Sequence, residues 1–197
     1  DVDEVVLHGG VGNAGAVVRV GDHVLRPTSA HSTAIHALLE HCHAVGFNGV
    51  PRVVGIDDDG RERLRFIEGD VPTPPFPAWS LTDAALASTA SLLRAFHRAV
   101  EGFVPQPGAT WSDEMHDPAP GDEPVMCHND VCPENVVYRG GRAVALLDLE
   151  FAAPGRRTYD LASLARMCVP VETAEDAART GRGDLDPVTR LRVAADA

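Results

Sequence analysis

The segment 68–80, EGDVPTPPFPAWS, carries Pro72, Pro74, Pro75 and Pro77. Proline has no N–H to give to a helix or a sheet ladder, and its ring fixes φ. The stretch is therefore neither a helix nor a central strand. It reads as an extended connector, and the chain differs in kind on its two sides.

Before the connector the chain is a series of short β-branched runs. EVVL leads into HGGVGNAG. AVVRV at 16–20 and HVLRP at 23–27 flank Gly21-Asp22, a hairpin signal. RVVGI at 52–56 and RERLRFI at 61–67 flank the turn DDDG. Between the two pairs, STAIHALLEHCHAV at 32–45 places Ile35, Leu38, Leu39, Cys42 and Val45 on one helical face. Ser32 or Thr33 is placed to cap that helix and Gly46 to end it. The order strand, strand, strand, helix, strand, strand predicts an antiparallel sheet with one helix.

After the connector the periodicity turns helical. SLTDAALASTASLLRAFHRAV carries an apolar stripe of Leu86, Leu93, Phe96 and Val100, with Ser80 and Asp83 as a reduced capping box. The segment 102–125 is rich in proline, glycine and acids and reads as irregular. YDLASLARMCVP at 159–170 predicts a short helix stopped by Pro170, and PVTRLRVAADA a last one. The expected class is α+β with two lobes: 1–67 built on the sheet, 68–80 a linker, 81–197 mainly helical.

Of the 197 residues, 44% are hydrophobic, enough for a packed core rather than a disordered chain. The net charge of −12 disfavours nucleic acid as a partner and suits a cationic one. No stretch approaches the roughly 18 apolar residues of a membrane span. With no signal peptide at the visible start, the expected location is cytoplasmic. Cys42, Cys127, Cys132 and Cys168 are too scattered for a disulfide framework. Cys127-His128 with Cys132 lacks the second close pair of soft ligands that structural zinc requires.

The densest group of polar residues lies in CHNDVCPENVVYRGGRAVALLDLE, 127–150. His128, Asp130 and Asn135 form an H-x-D-x-x-x-x-N pattern, and Asp148 follows. NVVYRGGRAVALLD reads as a hairpin turning at Gly140-Gly141, so its open end gathers Asp130, Asn135 and Asp148. Such groups are costly to collect unless something pairs with them. Asn135 and Asp148 offer the hard oxygens that magnesium prefers. Asp130 is left to accept a proton from a hydroxyl.

Near the start, GVGNAG sets Gly10, Gly12 and Gly15 in a G-x-G-x-x-G pattern. A dinucleotide-binding turn requires a helix next, whereas here the β-branched AVVRV follows. The alternatives are a glycine-rich hairpin over nucleotide phosphates and a plain hairpin loop. Arg26 is either a cation for the same phosphates or a surface arginine. Glu150, two residues past Asp148, reads as a solvated acid at a strand end.

On these residues the chain resembles the protein-kinase-like phosphotransferases of the aminoglycoside phosphotransferase and choline kinase group. CHNDVCPENVVY is similar to their catalytic loop. VALLDLE is similar to their metal-binding strand end, and APGRRTYDLASLAR to the stretch that closes the loop region. The resemblance spans about 8–170 and is most specific in the second half.

The resemblance implies a protein-kinase-like two-lobed fold, with a nucleotide-binding first lobe and a catalytic second lobe. It implies Asp130 as catalytic base, His128 as a catalytic-loop histidine that stabilises the loop, and Asn135 and Asp148 as Mg2+ ligands. Asp160 braces the loop, a role compatible with an N-cap position, and Glu150 supports the site. Gly10, Gly12, Gly15 and Arg26 serve the phosphates of ATP or GTP. The backbone near Phe66 and Glu68 forms the hinge that reads the base. The implied activity is transfer of the γ-phosphoryl group to a hydroxyl of an aminoglycoside-like or other small acceptor. The residues carry no reading of oligomeric state.

Two departures stand out. Arg26 replaces the usual strand lysine, keeping the charge but not its point-like geometry. The helix expected to supply its glutamate partner shows Ile35 and His36 there, with Glu40 one turn on. The pair that positions the phosphates is thus altered or missing, which raises the alternative of a catalytically weak, kinase-like binding protein.

Overall fold

The computed structural model describes residues 4–7 and 17–197. The glycines of the proposed phosphate loop, Gly10, Gly12 and Gly15, lie outside the described residues. Five strands form an antiparallel sheet in the order β1-β2-β3-β5-β4: β1 (Val5–Val6), β2 (Val18–Val20), β3 (His23–Pro27), β4 (Val53–Ile56) and β5 (Arg61–Arg65). The helix α1 (Ser32–Ala44) leaves β3 and returns to β4. Gly21, at φ 58°, supplies the left-handed turn between β2 and β3.

Ile35, Leu38, Leu39 and Cys42 of α1 are buried, as helical spacing predicts. Val45 does not join them. It is the C-cap residue and is exposed, because the helix stops before it can complete the stripe. Gly46, at φ 87°, ends the helix: its N–H donates to His43 O, and Phe47 N donates to Cys42 O. That is a Schellman closure. At the other end neither Ser32 nor Thr33 caps. His31 is the N-cap, and Ser32 Oγ instead accepts from Ser29 N, one residue too late to serve the helix.

The second half is built around α2 (Asp83–Ala99), whose Leu86, Leu93 and Phe96 are buried, as is Val100 just beyond. Its cap is Thr82, accepting from Ala85 N, and not Ser80. Ser80 lies in a 3-10 turn, Ala78–Leu81, where its hydroxyl donates to Pro77 O. From 103 to 124 there is no helix or strand. β6 (Val125–Cys127) pairs with β9 (Ala153–Gly155), and β7 (Val136–Arg139) with β8 (Arg142–Leu146), both antiparallel. Three helices follow: α3 (Arg157–Cys168), α4 (Ala174–Arg179) and α5 (Pro187–Asp196). α3 starts two residues before the expected 159, and α4 was not foreseen. Its short, alanine-rich turn is capped by Thr173 and buries Ala177.

One core joins the halves. Ile35 and Leu38 of α1 and Leu64 of β5 belong to the same buried cluster as Leu93, Phe96, Leu146 and Leu164. The two-lobed, antiparallel-sheet and helix architecture is thus welded by apolar burial, the dominant favourable term in folding. All four cysteines are buried and free. Among the described residues no helix is long and apolar enough to cross a membrane.

The proline-rich segment 68–80 is pinned at its start. Asp70 N donates to Tyr138 O and Tyr138 N to Asp70 O, both at 2.8 Å, and Arg139 Nε donates to Glu68 O. Gly69 makes this approach possible. At φ 149°, a Cβ there would sit 2.5 Å from both Tyr138 O and Val137 Cγ1. G69A is therefore expected to destabilise the fold by about 2 kcal/mol or more, read as a lower midpoint in urea. A midpoint equal to wild type would show that the segment is not clamped on β7.

Candidate active site

The site grows from the β7–β8 hairpin. Gly140 and Gly141, at φ 55° and 74°, make its two-residue turn. At its open end Leu147 N donates to Asn135 O at 2.7 Å, which brings Asn135 beside the strand exit at Asp148. Asn135 ends a 3-10 turn, Pro133–Asn135, that starts on a proline. Asp148 itself is left-handed, at φ 57° and ψ 67°. Aspartate tolerates that region better than most residues. There the chain turns out of the strand and into the 3-10 turn Leu149–Phe151.

The loop from His128 to Asn135 is over-determined. Asp160 is fully buried and accepts from His128 N and Asn129 N, each at 2.8 Å. His97 Nε2 of α2 donates to the same carboxylate at 2.8 Å. Asp160 is not an N-cap: it lies inside α3, and its carboxylate leaves the helix to collect loop donors. His128 is also fully buried. Its Nε2 donates to Leu147 O at 2.8 Å and its Nδ1 accepts from Asp130 N at 3.3 Å. These two bonds fix the orientation of the ring and give it a loop-holding position. His97, Cys127 and Asp160 have ligand atoms within 4.8 Å of one another. His97 is bonded to Asp160, and the Cys127 thiol donates instead to Val125 O and Arg156 O.

Asp130 is part-buried. Burial pushes its carboxyl above the usual carboxylate range; nearby Asp148 adds to the rise, while His128 and the hydrogen bond from Asn135 oppose it. Asn135 Nδ2 donates to Asp130 Oδ2 at 2.9 Å and to Asp130 O at 3.0 Å. The amide nitrogen is thereby tied down, and Oδ1 is the end left for a hard cation. Burial likewise raises the Glu150 carboxyl, with Asp148 adding to it.

Arg26 reaches this group from the sheet. Its Nη1 donates to Asp148 Oδ1 at 2.9 Å and its Nε to Glu62 Oε1 at 2.5 Å. Burial works against the Arg26 charge, but the carboxylates of Glu62 and Asp148 outweigh it and raise its pKa further. The altered pair foreseen at this position is therefore present but differently sourced. The glutamate comes from β5, and His36 on α1 holds its other oxygen at 2.5 Å. Glu62 escaped the sequence reading. The signal was available: it shares a strand face with buried Leu64, and an acid at a core-facing position implies a buried partner.

At the start of the connector, Arg19 lies 3.7 Å over the Phe66 ring and pairs with Glu68 at 2.7 Å. Arg19 was not singled out in the sequence either. The structure thus brings Asp130, His128, Asn135, Asp148 and Asp160 into one hydrogen-bonded and charge-coupled region. Arg26 joins it, and Glu150 lies two residues past Asp148. Phe66 and Glu68 are both contacted by Arg19.

The fold is two-lobed, with Asp130, Asn135 and Asp148 gathered at the open end of the β7–β8 hairpin. The family model for the phosphotransferase enzyme family, APH, matches residues 100–195. A trifolitoxin immunity protein from Rhizobium leguminosarum bv. trifolii is 34% identical over 185 residues, covering 93% of this chain and 69% of that protein. The chain belongs to the APH phosphotransferase family. Among solved structures it is similar to a choline/ethanolamine kinase family protein from Mesorhizobium loti, with TM-score 0.59, 20% identity, and 98% and 68% of the two chains covered. It is also similar to the GDP complex of aminoglycoside 2'-phosphotransferase-IIIa, with TM-score 0.55, 20% identity, and 98% and 81% covered. At those identities the likeness concerns the fold.

Proposed function

We propose that the protein transfers the γ-phosphoryl group of ATP or GTP to a hydroxyl of a small acceptor. The observation that carries this reading is the junction of Asp130, Asn135, Asp148 and Arg26 at one hairpin end, closed by hydrogen bonds of 2.9 to 3.0 Å. Asp130 orients the acceptor hydroxyl and takes its proton. His128 and Asp160 position the loop. Asn135 Oδ1 and the Asp148 carboxylate would hold Mg2+, which when bound supplies positive charge for the nucleotide phosphates. Arg26 adds a fixed cation there. Segment 68–80 is the hinge, and the backbone at Phe66 to Gly69 reads the base. Gly10, Gly12 and Gly15 serve the phosphates, as the resemblance implies. A cationic acceptor suits the acidic chain and the carboxylates of Asp130 and Glu150.

A second reading follows from the relative named for immunity to trifolitoxin. There the protein protects its producer from a toxin, either by phosphorylating it or by binding it without transfer.

The test is a transfer screen with ATP and GTP over aminoglycosides, choline-like amines, sugars and toxin peptides, with D148A alongside. A magnesium-dependent phosphorylated product is expected for wild type. D148A is expected to lose about 10² or more of that transfer, the scale of a divalent ion's contribution. Unchanged magnesium dependence in D148A would assign the ion to other ligands. Wild type that binds no nucleotide with magnesium would reject the kinase reading.

A further inference from the structure

Glu62 occupies an expensive position. It stands opposite Arg26 in the β3–β5 register and shares its strand face with buried Leu64. Its side chain is only 3% exposed. A carboxylate there requires partners on both oxygens. Oε1 accepts from Arg26 Nε and Oε2 from His36 Nε2, each at 2.5 Å. Burial alone would raise the Glu62 carboxyl, but the bond from His36 and the charge of Arg26 hold it below its usual range. It is therefore an anion between a strand cation and the helix α1.

We propose that Glu62 is a positioning residue for phosphoryl transfer: it fixes the guanidinium of Arg26 for the nucleotide phosphates and ties that arginine, through His36, to α1. The inference rests on the kinase reading above. An arginine side chain has many rotamers, and fixing one is costly unless a partner holds it. Glu62 takes the Nε edge of the fork. The Nη1 end is left pointing toward Asp148, where it bonds Oδ1 at 2.9 Å.

The guanidinium thus bridges two carboxylates on opposite sides of the site, one buried in the sheet and one at the hairpin end. Lysine, with a single nitrogen at the tip of its stem, does not reproduce that planar fork. This gives a physical reason for arginine at position 26. A shift of α1 would move His36, then Glu62, then the arginine. The helix is in that way coupled to the phosphate site without itself supplying the acid.

The test is nucleotide affinity of the full chain, measured by displacement of a fluorescent ATP or GTP analogue in the presence of magnesium. Competitors are the triphosphate and the bare nucleoside. The proteins are wild type, E62Q, R26A and R26A/E62Q. E62Q is expected to weaken the triphosphate by about tenfold or more and leave the nucleoside unchanged, since misplacing one group near the phosphates is costly. In the R26A background E62Q is expected to add no further loss, because its target is gone. Equal losses for triphosphate and nucleoside, or losses that add, would make Glu62 a plain structural ion and overturn the proposal.

If E62Q does not fold, H36A removes the donor to Glu62 Oε2 and loosens Glu62 from its other side. It is then expected to weaken the triphosphate alone, by about threefold. Affinities equal to wild type would overturn the proposal. Wild type that fails to bind either triphosphate rejects the kinase reading itself; wild-type binding with an unaltered E62Q rejects only the positioning role.

Discussion

D130N is expected to bind nucleotide like wild type and to lose about 10² or more in transfer, the scale of a positioned acid–base group. The substitution keeps shape and removes charge. The loop around it stays tied, because His128 N and Asn129 N are held by Asp160 and not by Asp130. One contact does change: Asn135 Nδ2 donates to Asp130 Oδ2, and an amide accepts there less well than a carboxylate. The same protein sample should therefore be assayed for melting temperature, nucleotide affinity and turnover. A variant with a lowered melting temperature and near-wild-type turnover would make Asp130 a loop cap and remove it from the mechanism. In a toxin-protection assay the variant separates the two proposed readings. Protection that depends on transfer disappears with D130N, and protection by binding survives it.

The second large effect is expected from D160A. Asp160 is fully buried and satisfies two backbone N–H groups and the ring of His97. Removing it leaves those donors without acceptors, at about 1–3 kcal/mol each. A total loss of roughly 3 kcal/mol or more is expected, a large part of the stability of an ordinary domain. Urea denaturation measures it. D160N is expected to recover little, since an amide puts one NH2 where a donor already points. A loss below about 1 kcal/mol would mean that the loop finds other acceptors, which is small beside the penalty for orphaned donors. H97A should cost less, since it removes one of three bonds and leaves the loop N–H groups paired.

Local patterns were legible in the residues taken in order. Gly21-Asp22, the alternating RERLR and the spacing of Leu38, Leu39 and Cys42 each speak of neighbours a few positions apart. So does the hairpin that joins Asn135 to Asp148, because a turn at Gly140-Gly141 dictates which residues meet at its open end. The prolines at 72–77 likewise exclude α-helix and central strand, and what the segment does form is a single bridge at Asp70 and a 3-10 turn at Ala78–Leu81. Caps were the weak point even at short range. Ser80 and Thr82 both suit a helix start, and the choice fell to Thr82 because a 3-10 turn takes up Ser80.

What lay beyond such reading depends on register and docking between distant segments. Arg26 meets Asp148 across 122 positions, Arg26 meets Glu62 across 36, and His97 meets Asp160 across 63. No local propensity encodes these pairs. β3 pairs with β5 rather than β4, and that places Glu62 opposite Arg26. α2 packs against α3, and that delivers His97 to the loop. The chemistry-bearing residues on the hairpin were visible because their geometry is local. The partners that hold them in place were not, because a buried charge is matched only once the apolar core has brought the elements together.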